Sequence, residues 1–505
     1  MKKTKLITMI PLAAFALQVL AEVLAAIFIF RLNMLPGGFV AVIVAVFLLM
    51  LAGTGLLLFL QGKKPVGFVR KIIACVLALV ITFVCGAAVF FADGFYRTMH
   101  TVTEKVVTTA RNVYVFVEKD DPAQTIQDAK GYRFGYIGHY DVKHTQQAII
   151  QLEDAVGDRI NVLEYSRSME LVTALFEGEL DAVIMNGASV SLLMEDPNYA
   201  DFTDKIRILE TMSFSELEAT EPTEPEQTQP DVQANVTNTP FAVYISGSDT
   251  RSNMLTVSRS DVNILVIVNP QTKQILLLNT PRDYYVENPA GDGAMDKLTH
   301  CGLYGPECSM EVLGKLYGVD IDFYGQINFT GFEMLVDAVG GITVTSDQSF
   351  KAGDTYITAG ENQLNGKQAL DFARERYHVS GGDRGRGQNQ MRVVKAVIEK
   401  MTTGTTVISN YTSILQSLEG MFVTSMGMDD ISLLVKMQLS DMAKWNIQSY
   451  SVSGVGGSER TYSMPGDYAY VMYEDEAATA YAAKLIQRVY AGEILTQDDM
   501  KGPQQ

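Results

Sequence analysis

The N-terminal part of the chain contains three long, almost uninterrupted apolar runs separated by short polar segments. They lie at Leu6–Phe30, Gly37–Leu60 and Ile72–Phe91. A helix needs about 20 apolar residues to cross the roughly 30 Å hydrocarbon core of a bilayer. Each run reaches that length, whereas a cleaved signal peptide has a single, shorter apolar core. The pattern therefore predicts three permanent membrane-spanning helices within residues 1–97.

Residues 98–214 show a different pattern, in which short apolar runs alternate with amphipathic ones. Two of the strand-like runs are GYRFGYIG at 131–138 and LDAVIMN at 180–186. Such alternation is typical of an α/β domain. The order of the runs resembles one lobe of the periplasmic solute-binding domains, and the length has room for one lobe only. We predict a small accessory α/β domain, which is either a structural spacer or a sensor.

Residues 215–240 contain Glu, Thr, Gln and Pro but almost nothing to bury, so they are predicted to be a linker. The segment 241–496 then opens with three runs dense in Ile, Val and Leu, namely FAVYISG at 241–247, NILVIVNP at 263–270 and QILLLNT at 274–280. Unbroken runs of this kind suit strands that are covered on both faces. Helical periodicity follows at Met310–Tyr317, Gly331–Val339, Lys367–Arg374 and Gln390–Met401. We therefore predict a three-layer α/β/α domain with its own core, followed by a tail at 497–505.

Charge adds an orientation to this layout. Lysines and arginines cluster before the first apolar run and between the second and third, at Lys2, Lys3, Lys5, Lys63, Lys64, Arg70 and Lys71. The short first loop holds only Arg31. The positive-inside rule then predicts a cytoplasmic N-terminus and an extracellular position for everything after the third helix. A formal net charge of -18 argues against a nucleic-acid partner.

Four cysteines fall into two groups. Cys75 and Cys85 lie in the third apolar run, where small polarizable side chains pack without any chemistry. Cys301 and Cys308 flank a short glycine-containing segment in the part predicted to be outside the cell, where a disulfide persists. We predict that this second pair forms a disulfide.

The candidate chemistry of the chain lies in acidic and basic residues spaced between residues 248 and 390. They come as four close pairs, at Asp249 with Arg251, Arg282 with Asp283, Arg374 with Arg376, and Asp383 with Arg386. Guanidinium groups bind phosphate oxygens in a planar fork, and carboxylates hold hard cations such as Mg²⁺. The set indicates chemistry on a pyrophosphate.

Seven segments in this region, taken in order, resemble the LytR-CpsA-Psr family. They are GSDTRS at 247–252, SRSDVNILVIVNP at 258–270, TPRDYY at 280–285, DKLTH at 296–300, FTGFEMLVDAVGGITV at 329–344, LNGKQALDFARERY at 364–377 and GDRGRGQNQ at 382–390. The resemblance implies an enzyme that takes an anionic glycopolymer, such as wall teichoic acid or capsular polysaccharide, from a polyprenyl pyrophosphate carrier. The enzyme would join the polymer to peptidoglycan through a phosphodiester, assisted by Mg²⁺ or Mn²⁺. Together with the three predicted membrane spans, the resemblance implies a multi-pass protein of a Gram-positive-type cell membrane.

The family pattern assigns roles to matching residues of this chain. Asp249 and Asp261 would hold the metal. The residues that would bind the pyrophosphate are Arg251, Arg282, Lys297, Arg374, Arg376, Asp383, Arg386 and Gln390. A set of fixed guanidinium groups stabilises the charge that develops when the lipid phosphate leaves, so no covalent intermediate is needed.

Three points in this set stay open. The general base for the acceptor hydroxyl is Asp283 or Asp261, because arginine is far too basic for that role. Asn389 stands where the family usually has an arginine, which Arg384 or Arg392 would have to replace. Arg374 and Arg376 can reach one ligand only if the helix ends between them, since residues two apart on a helix point in different directions.

The lipid tail of the carrier requires an apolar sleeve, with Phe332, Leu335, Val336 and Val339 as candidates, although ordinary core packing also explains each of them. Two other functions share the same head-group site. A membrane-anchored sensor would bind the carrier without turnover, and a pyrophosphatase would use water in place of the wall hydroxyl.

Overall fold

The computed structural model describes residues 2–60, 66–103, 107–138, 141–194, 197–199, 201–218, 235–248, 255, 257–403, 414, 420–464 and 468–502. The chain begins with three long helices, α1 (Lys2–Leu32), α2 (Gly37–Phe59) and α3 (Val66–Thr103). Segments of 24, 23 and 28 residues in them are long and apolar enough to cross a membrane. Most of their large apolar side chains are exposed, as expected for helices whose solvent is lipid.

The accessory region folds as an α/β unit around one five-stranded sheet. Its elements are β1 (Val107–Glu118), β2 (Arg133–Ile137), α4 (Val142–Val156), β3 (Asn161–Tyr165), α5 (Ser168–Phe176), β4 (Ala182–Asn186), α6 (Gly187–Leu193), α7 (Phe202–Lys205) and β5 (Ile206–Glu218). The strand order is β3-β2-β4-β1-β5. β2 runs parallel to β3 and β4, while β1 is antiparallel to β4 and β5. Apolar side chains cover both faces of this sheet.

A mixed six-stranded sheet forms the centre of the second region. Its strands are β6 (Phe241–Ser248), β7 (Ser260–Asn269), β8 (Gln274–Asn279), β11 (Phe323–Asn328), β16 (Phe422–Thr424) and β17 (Asn446–Ser451), in the order β16-β11-β6-β7-β8-β17. Every residue of β8 is buried, in agreement with the unbroken apolar run of its sequence. The carboxyl ends of β6, β8, β11 and β17 meet the amino end of β7 at one edge of the sheet.

Helices cover both faces of this sheet. On one face lie α8 (Leu298–Cys301), α9 (Pro306–Tyr317) and α14 (Glu476–Tyr490), and on the other lie α12 (Asp383–Thr402) and α13 (Met428–Asp441). The predicted α/β class, with a three-layer α/β/α second domain after an α/β unit and three apolar helices, is confirmed.

Smaller elements border the sheet edge where the strand ends meet. They are β9 (Tyr285–Asn288), β10 (Ala294–Lys297), α10 (Phe329–Ala338), β12 (Ile342–Ser346), β13 (Phe350–Ala352), β14 (Thr355–Ile357), β15 (Gly360–Leu364), α11 (Gly366–Arg374), β18 (Gly454–Arg460) and β19 (Tyr468–Glu474). α10, α11 and β12–β15 share a separate core with part of α12. β18 and β19 form an antiparallel hairpin.

The helix α12 starts seven residues earlier than its apolar pattern indicates, at Asp383 instead of Gln390. The glycines of GDRGRGQNQ are therefore part of a helix and its entry, and not a turn. Gly381 and Gly382 have positive φ angles of 85° and 56° directly before it. A Cβ atom on Gly387 would lie 2.5 Å from Nδ2 of Asn279, at the end of β8. Glycine thus lets the first turns of α12 approach the sheet edge closely.

Candidate functional site

A cavity of about 990 Å³ opens at the sheet edge where the strand ends meet. In α/β proteins, ligands bind in the crevice outside the carboxyl ends of the strands. The charged residues around this cavity include Arg259, Asp261, Arg282, Asp283, Lys297, Arg374, Glu375, Arg376 and Arg386. Most of the residues that the sequence assigned to a head-group site therefore lie around one space.

The ion pair between Arg282 and Asp261 forms the innermost part of the charged wall. Nη1 of Arg282 lies 2.7 Å from Oδ1 of Asp261, and both side chains are largely buried. Burial alone would raise the pKa of Asp261, but the charges of Arg282, Arg259 and Arg386 outweigh it and lower this pKa to about 2. Asp261 is consequently a carboxylate at any physiological pH.

Asp283 lies beside this pair and contacts two cations. Its Oδ2 is 3.7 Å from Nε of Arg282, and its Oδ1 is 3.5 Å from Nζ of Lys297. Its side chain and that of Lys297 are both less than a tenth exposed. Asp283 therefore orients the two cations that face the cavity.

Lys297 is held by the buried polar group that precedes α8. Its backbone N–H donates to Oδ1 of Asp296 over 2.9 Å, and Nδ1 of His300 lies 2.5 Å from the same oxygen. Asn288 and Ser463 donate to the other oxygen of Asp296. Burial would raise the pKa of Asp296, yet the charge and hydrogen bond of His300 lower it. The fully buried Asp296 thus fixes the strand end that presents Lys297.

Arg374 and Arg376 reach the cavity together because α11 ends between them. Arg374 is the last residue of the helix, and Glu375 is extended, with φ -65° and ψ 126°. The Arg374 guanidinium lies over the ring of Phe329 at 4.5 Å, and that of Arg376 over the ring of Tyr377 at 4.7 Å. This is the helix-end geometry that the two arginines need to act on one ligand.

The early start of α12 determines which of its side chains face the site. Arg386 and Gln390, four residues apart and so on one face of the helix, both line the cavity. Asn389 points elsewhere, since its Nδ2 donates to the carbonyl of Phe372 over 3.4 Å and its Oδ1 accepts from Arg392. Neither Arg384 nor Arg392 is among the described residues that line the cavity, so neither replaces the family arginine there.

Three predicted site residues cannot be placed. Asp249 and Arg251 lie outside the described residues, between β6 and β7. Asp383 is the first residue of α12, but its side chain also lies outside the described part. Their roles stay predictions.

An apolar wall adjoins the charged one. It is formed by Ile245, Ile327, Phe329, Phe332, Leu370, Val393 and Val394. Of the four sleeve candidates, Phe332 lines the cavity, whereas Val336 and Val339 are buried in the core shared by α10–α12. Leu335 packs against that core as well. Core packing is therefore the role of those three.

Sequence reasoning missed several residues of the cavity wall. Arg259 is 8% exposed and helps to lower the pKa of Asp261, although the sequence indicated no role for it. Its position two residues before Asp261, at the start of a strand, was the available signal. Met169 and Met194 of the accessory region also line the cavity, and no local pattern in the sequence indicates that contact.

The predicted disulfide is not formed in the structure. Cys301 and Cys308 are both buried free thiols. They lie on consecutive helices, α8 and α9, and the Cys308 thiol donates to Oδ1 of Asn288 over 3.3 Å. A hydrogen bond between the two thiols raises the pKa of Cys301 and lowers that of Cys308. The two cysteines therefore pack within the core as separate thiols.

An α/β/α domain behind three apolar helices, with arginines, a lysine and carboxylates around one cavity, defines a membrane-anchored protein equipped to hold an anionic group. A family model described as the LytR_cpsA_psr family matches residues 208–484. The match covers more than half of the chain, and the chain belongs to this family.

The chain is similar to two bacterial proteins named polyisoprenyl-teichoic acid–peptidoglycan teichoic acid transferase TagU. It is 36% identical over 202 residues to that of Enterococcus faecalis, covering 39% of this chain and 66% of the relative. It is 32% identical over 241 residues to that of Oceanobacillus iheyensis, covering 46% and 72%. The first alignment thus spans just under two thirds of the relative's length. Among solved structures, B. subtilis TagV has a TM-score of 0.42 at 25% identity, covering 51% of this chain and 99% of TagV.

Proposed function

We propose that this chain is a membrane-anchored phosphotransferase, which moves an anionic glycopolymer from a polyprenyl pyrophosphate carrier to peptidoglycan. The two TagU relatives carry names that state this transfer for teichoic acid. The observation that carries the proposal is the cavity itself, where cationic side chains converge next to an apolar wall. A lipid diphosphate has the same two properties, a highly charged group joined to an apolar tail.

The cations of the cavity fit the charge of a diphosphate. Arg282 and Lys297 are held by carboxylates at 2.7 and 3.5 Å, so their positions are set before any ligand binds. Arg374 and Arg376 are more exposed and present guanidinium forks at the mouth. Preorganised donors stabilise developing charge without reorganisation, which makes electrostatics the main source of catalysis in phosphoryl transfer.

We assign the following reaction to this arrangement. The oxygen of the acceptor hydroxyl attacks the phosphorus attached to the sugar, and the bond from that phosphorus to the bridging oxygen breaks. Polyprenyl phosphate leaves with the electron pair, and the hydroxyl proton passes to a base. The arginines and Lys297 bind the phosphate oxygens on which negative charge increases.

Asp283 is a better base than Asp261 in this scheme. Asp261 has a pKa of about 2 and pairs with Arg282 at 2.7 Å, so it is a very weak proton acceptor. Asp283 lies at longer distances from its two cations, 3.5 and 3.7 Å. We assign Asp283 the role of accepting the proton.

Among the described residues of the cavity, Asp261 is the carboxylate that best suits a Mg²⁺ or Mn²⁺ ion. Asp261 offers an ionised carboxylate at the cavity wall, which suits a hard cation. Within the described ranges no group of three or more His, Cys, Asp or Glu side chains converges on one point. Asp261, together with the predicted Asp249, would hold the ion, and phosphate and water oxygens would complete its shell. Such an ion supplies charge neutralisation at the diphosphate.

The anchor places this chemistry at a membrane surface. Three apolar helices precede the α/β regions, and the basic residues of the sequence favour a cytoplasmic N-terminus with the cavity outside the cell. Peptidoglycan is then accessible to the cavity, and the carrier can enter it from the bilayer. The predicted partners are therefore the glycopolymer carrier, peptidoglycan and the bilayer.

The test uses the full-length protein in detergent with a polyprenyl pyrophosphate-linked oligosaccharide, peptidoglycan fragments and Mg²⁺. We expect mass spectrometry to detect a phosphodiester-linked adduct that EDTA suppresses. Carrier binding without any turnover would contradict the proposal and favour the sensor.

A further inference from the structure

The hairpin β18–β19 brings an aromatic surface to the cavity that the charged site does not use. Tyr468 and Tyr470 both line the cavity, yet they are 67% and 54% exposed. Residues two apart on a strand share a face, and the intervening Ala469 and the following Val471 are buried. The two tyrosines therefore share the exposed face of β19, and both line the cavity.

Glycine on the opposite strand sets the position of one of these rings. A Cβ atom on Gly456 would lie 2.9 Å from both Cε2 and Oη of Tyr470. The Tyr470 ring consequently rests on bare backbone, and a larger residue at position 456 would shift the ring from this position. The ring of Tyr468 is covered by the guanidinium of Arg460, whose Cζ lies 5.4 Å from the ring centroid. Each ring thus has a supported face while much of its surface stays open.

The hairpin is fixed directly to the charged site. The backbone N–H of Met472 donates to the carbonyl of Asp283 over 2.7 Å. Tyr284 and Met472 form an isolated parallel β-bridge. Tyr470 stands two residues before Met472, which is about 7 Å along a strand. Tyr470 therefore lies on the strand that is hydrogen-bonded to the backbone next to Arg282, one of the residues assigned to the diphosphate.

We propose that Tyr468 and Tyr470 form a stacking platform for the saccharide that is attached directly to the diphosphate of the donor. The C–H groups on one face of a pyranose ring complement the negative face of an aromatic ring, and tyrosine hydroxyls add hydrogen bonds. The cavity wall then offers an apolar, a charged and an aromatic surface, one for each part of a lipid–diphosphate–sugar molecule. This inference rests on the proposed function, because it names the part of the donor that the platform binds.

The experiment measures binding by calorimetry to the full-length protein in detergent. The probes are a short-chain prenyl diphosphate and the same molecule carrying one N-acetylhexosamine. Tyr470→Ala is expected to weaken binding of the sugar-bearing probe by about three- to tenfold, while affinity for the plain diphosphate stays unchanged. Tyr470→Phe keeps the ring and is expected to retain most of the affinity.

Tyr473→Ala is the matched control, because this tyrosine lies on the same hairpin over Gly457 but is not among the described residues lining the cavity. Its hydroxyl donates to Glu459. Equal weakening for both probes, or no weakening in Tyr470→Ala, would overturn the platform. Wild-type protein that binds neither probe would contradict the proposed function as well, so the two failures are distinguishable.

Discussion

The accessory region and the second region are both α/β units built on one central sheet, but they use their charged residues differently. In the accessory region, Arg133 and Asp181 form a bidentate pair at 2.8 and 2.9 Å, at the amino ends of β2 and β4. In the second region, Arg282 and Asp261 pair at the sheet edge where carboxyl strand ends meet, beside further cations. The first pair joins two strands, whereas the second is part of a cavity wall. Fold class alone therefore does not reveal function, and the two pairs differ in their position relative to the strand ends.

The largest difference between the two regions is expected when one arginine in each is replaced by alanine. Arg376→Ala removes a guanidinium at the cavity and should lower transfer by about 10²-fold or more, with the protein still folded. Arg133→Ala removes the strand-joining pair and should lower the thermal stability of the accessory region while transfer continues. An adduct assay and thermal unfolding of both variants check this. Abolished transfer in Arg133→Ala, or unchanged transfer in Arg376→Ala, would contradict this difference between the two regions.

The next effect concerns acid stability. The folded pKa of Asp261, about 2, is below its unfolded value of about 3.9, so the carboxylate stabilises the fold above about pH 4. This contribution, about 2 kcal/mol, should be lost as the pH falls towards 2. Thermal unfolding between pH 2 and 7 should show a shallower acid dependence in Asp261→Asn than in the wild type. Asp354→Asn, at a carboxylate that is 93% exposed, serves as the control. An unchanged acid profile in Asp261→Asn would show that the ion pair is not formed in solution.

A smaller effect is expected where the two regions touch. Ala188 and Leu192 of α6 pack with Leu303 of the second region, near the point where Met194 reaches the cavity. Leu192→Asp should break this contact. We expect the KM for the donor to rise by less than about tenfold, and a tenfold change corresponds to about 1.4 kcal/mol. Ile150→Asp is the control, because Ile150 is 58% exposed on α4. A complete loss of activity in Leu192→Asp would mean that the accessory region belongs to the catalytic machinery.

The smallest effect concerns the number of free thiols, which is not expected to change activity. The structure contains free thiols at Cys301 and Cys308, so the unfolded protein should react with four equivalents of a thiol reagent, including the two cysteines of α3. A count of two would show that the disulfide predicted from the sequence is formed. The accessory region contributes none, so the count reports only on the second region and the helices.

The sequence predicted much of the fold because each signal was local. Apolar runs gave the three long helices, and the fully buried β8 followed from QILLLNT. The sequence alone could not reveal the early start of α12, because the reason is a contact between Gly387 and Asn279, more than a hundred residues apart. The sequence could also not predict that Met169 and Met194 line the cavity, because this contact depends on how two separate units pack.

The site residues show the same division between local and distant information. The family pattern named Arg282, Lys297 and Arg386, and the structure brings these side chains to one cavity. It could not show that Asp261 is already paired with Arg282, which argues against its use as the base. Arg259 was overlooked because a single arginine before a strand is not distinctive without its neighbours.

The proposed function requires that the phosphoryl-linked glycopolymer is transferred to a wall hydroxyl and not to water. The most direct measurement runs the reaction in ¹⁸O-labelled water with donor, peptidoglycan fragments and Mg²⁺, followed by mass spectrometry of all phosphate-containing products. We expect a phosphodiester-linked adduct and polyprenyl phosphate, both without ¹⁸O, because the attacking oxygen comes from the acceptor. Sugar phosphate or lipid phosphate carrying ¹⁸O, without any adduct, would contradict it and identify a pyrophosphatase.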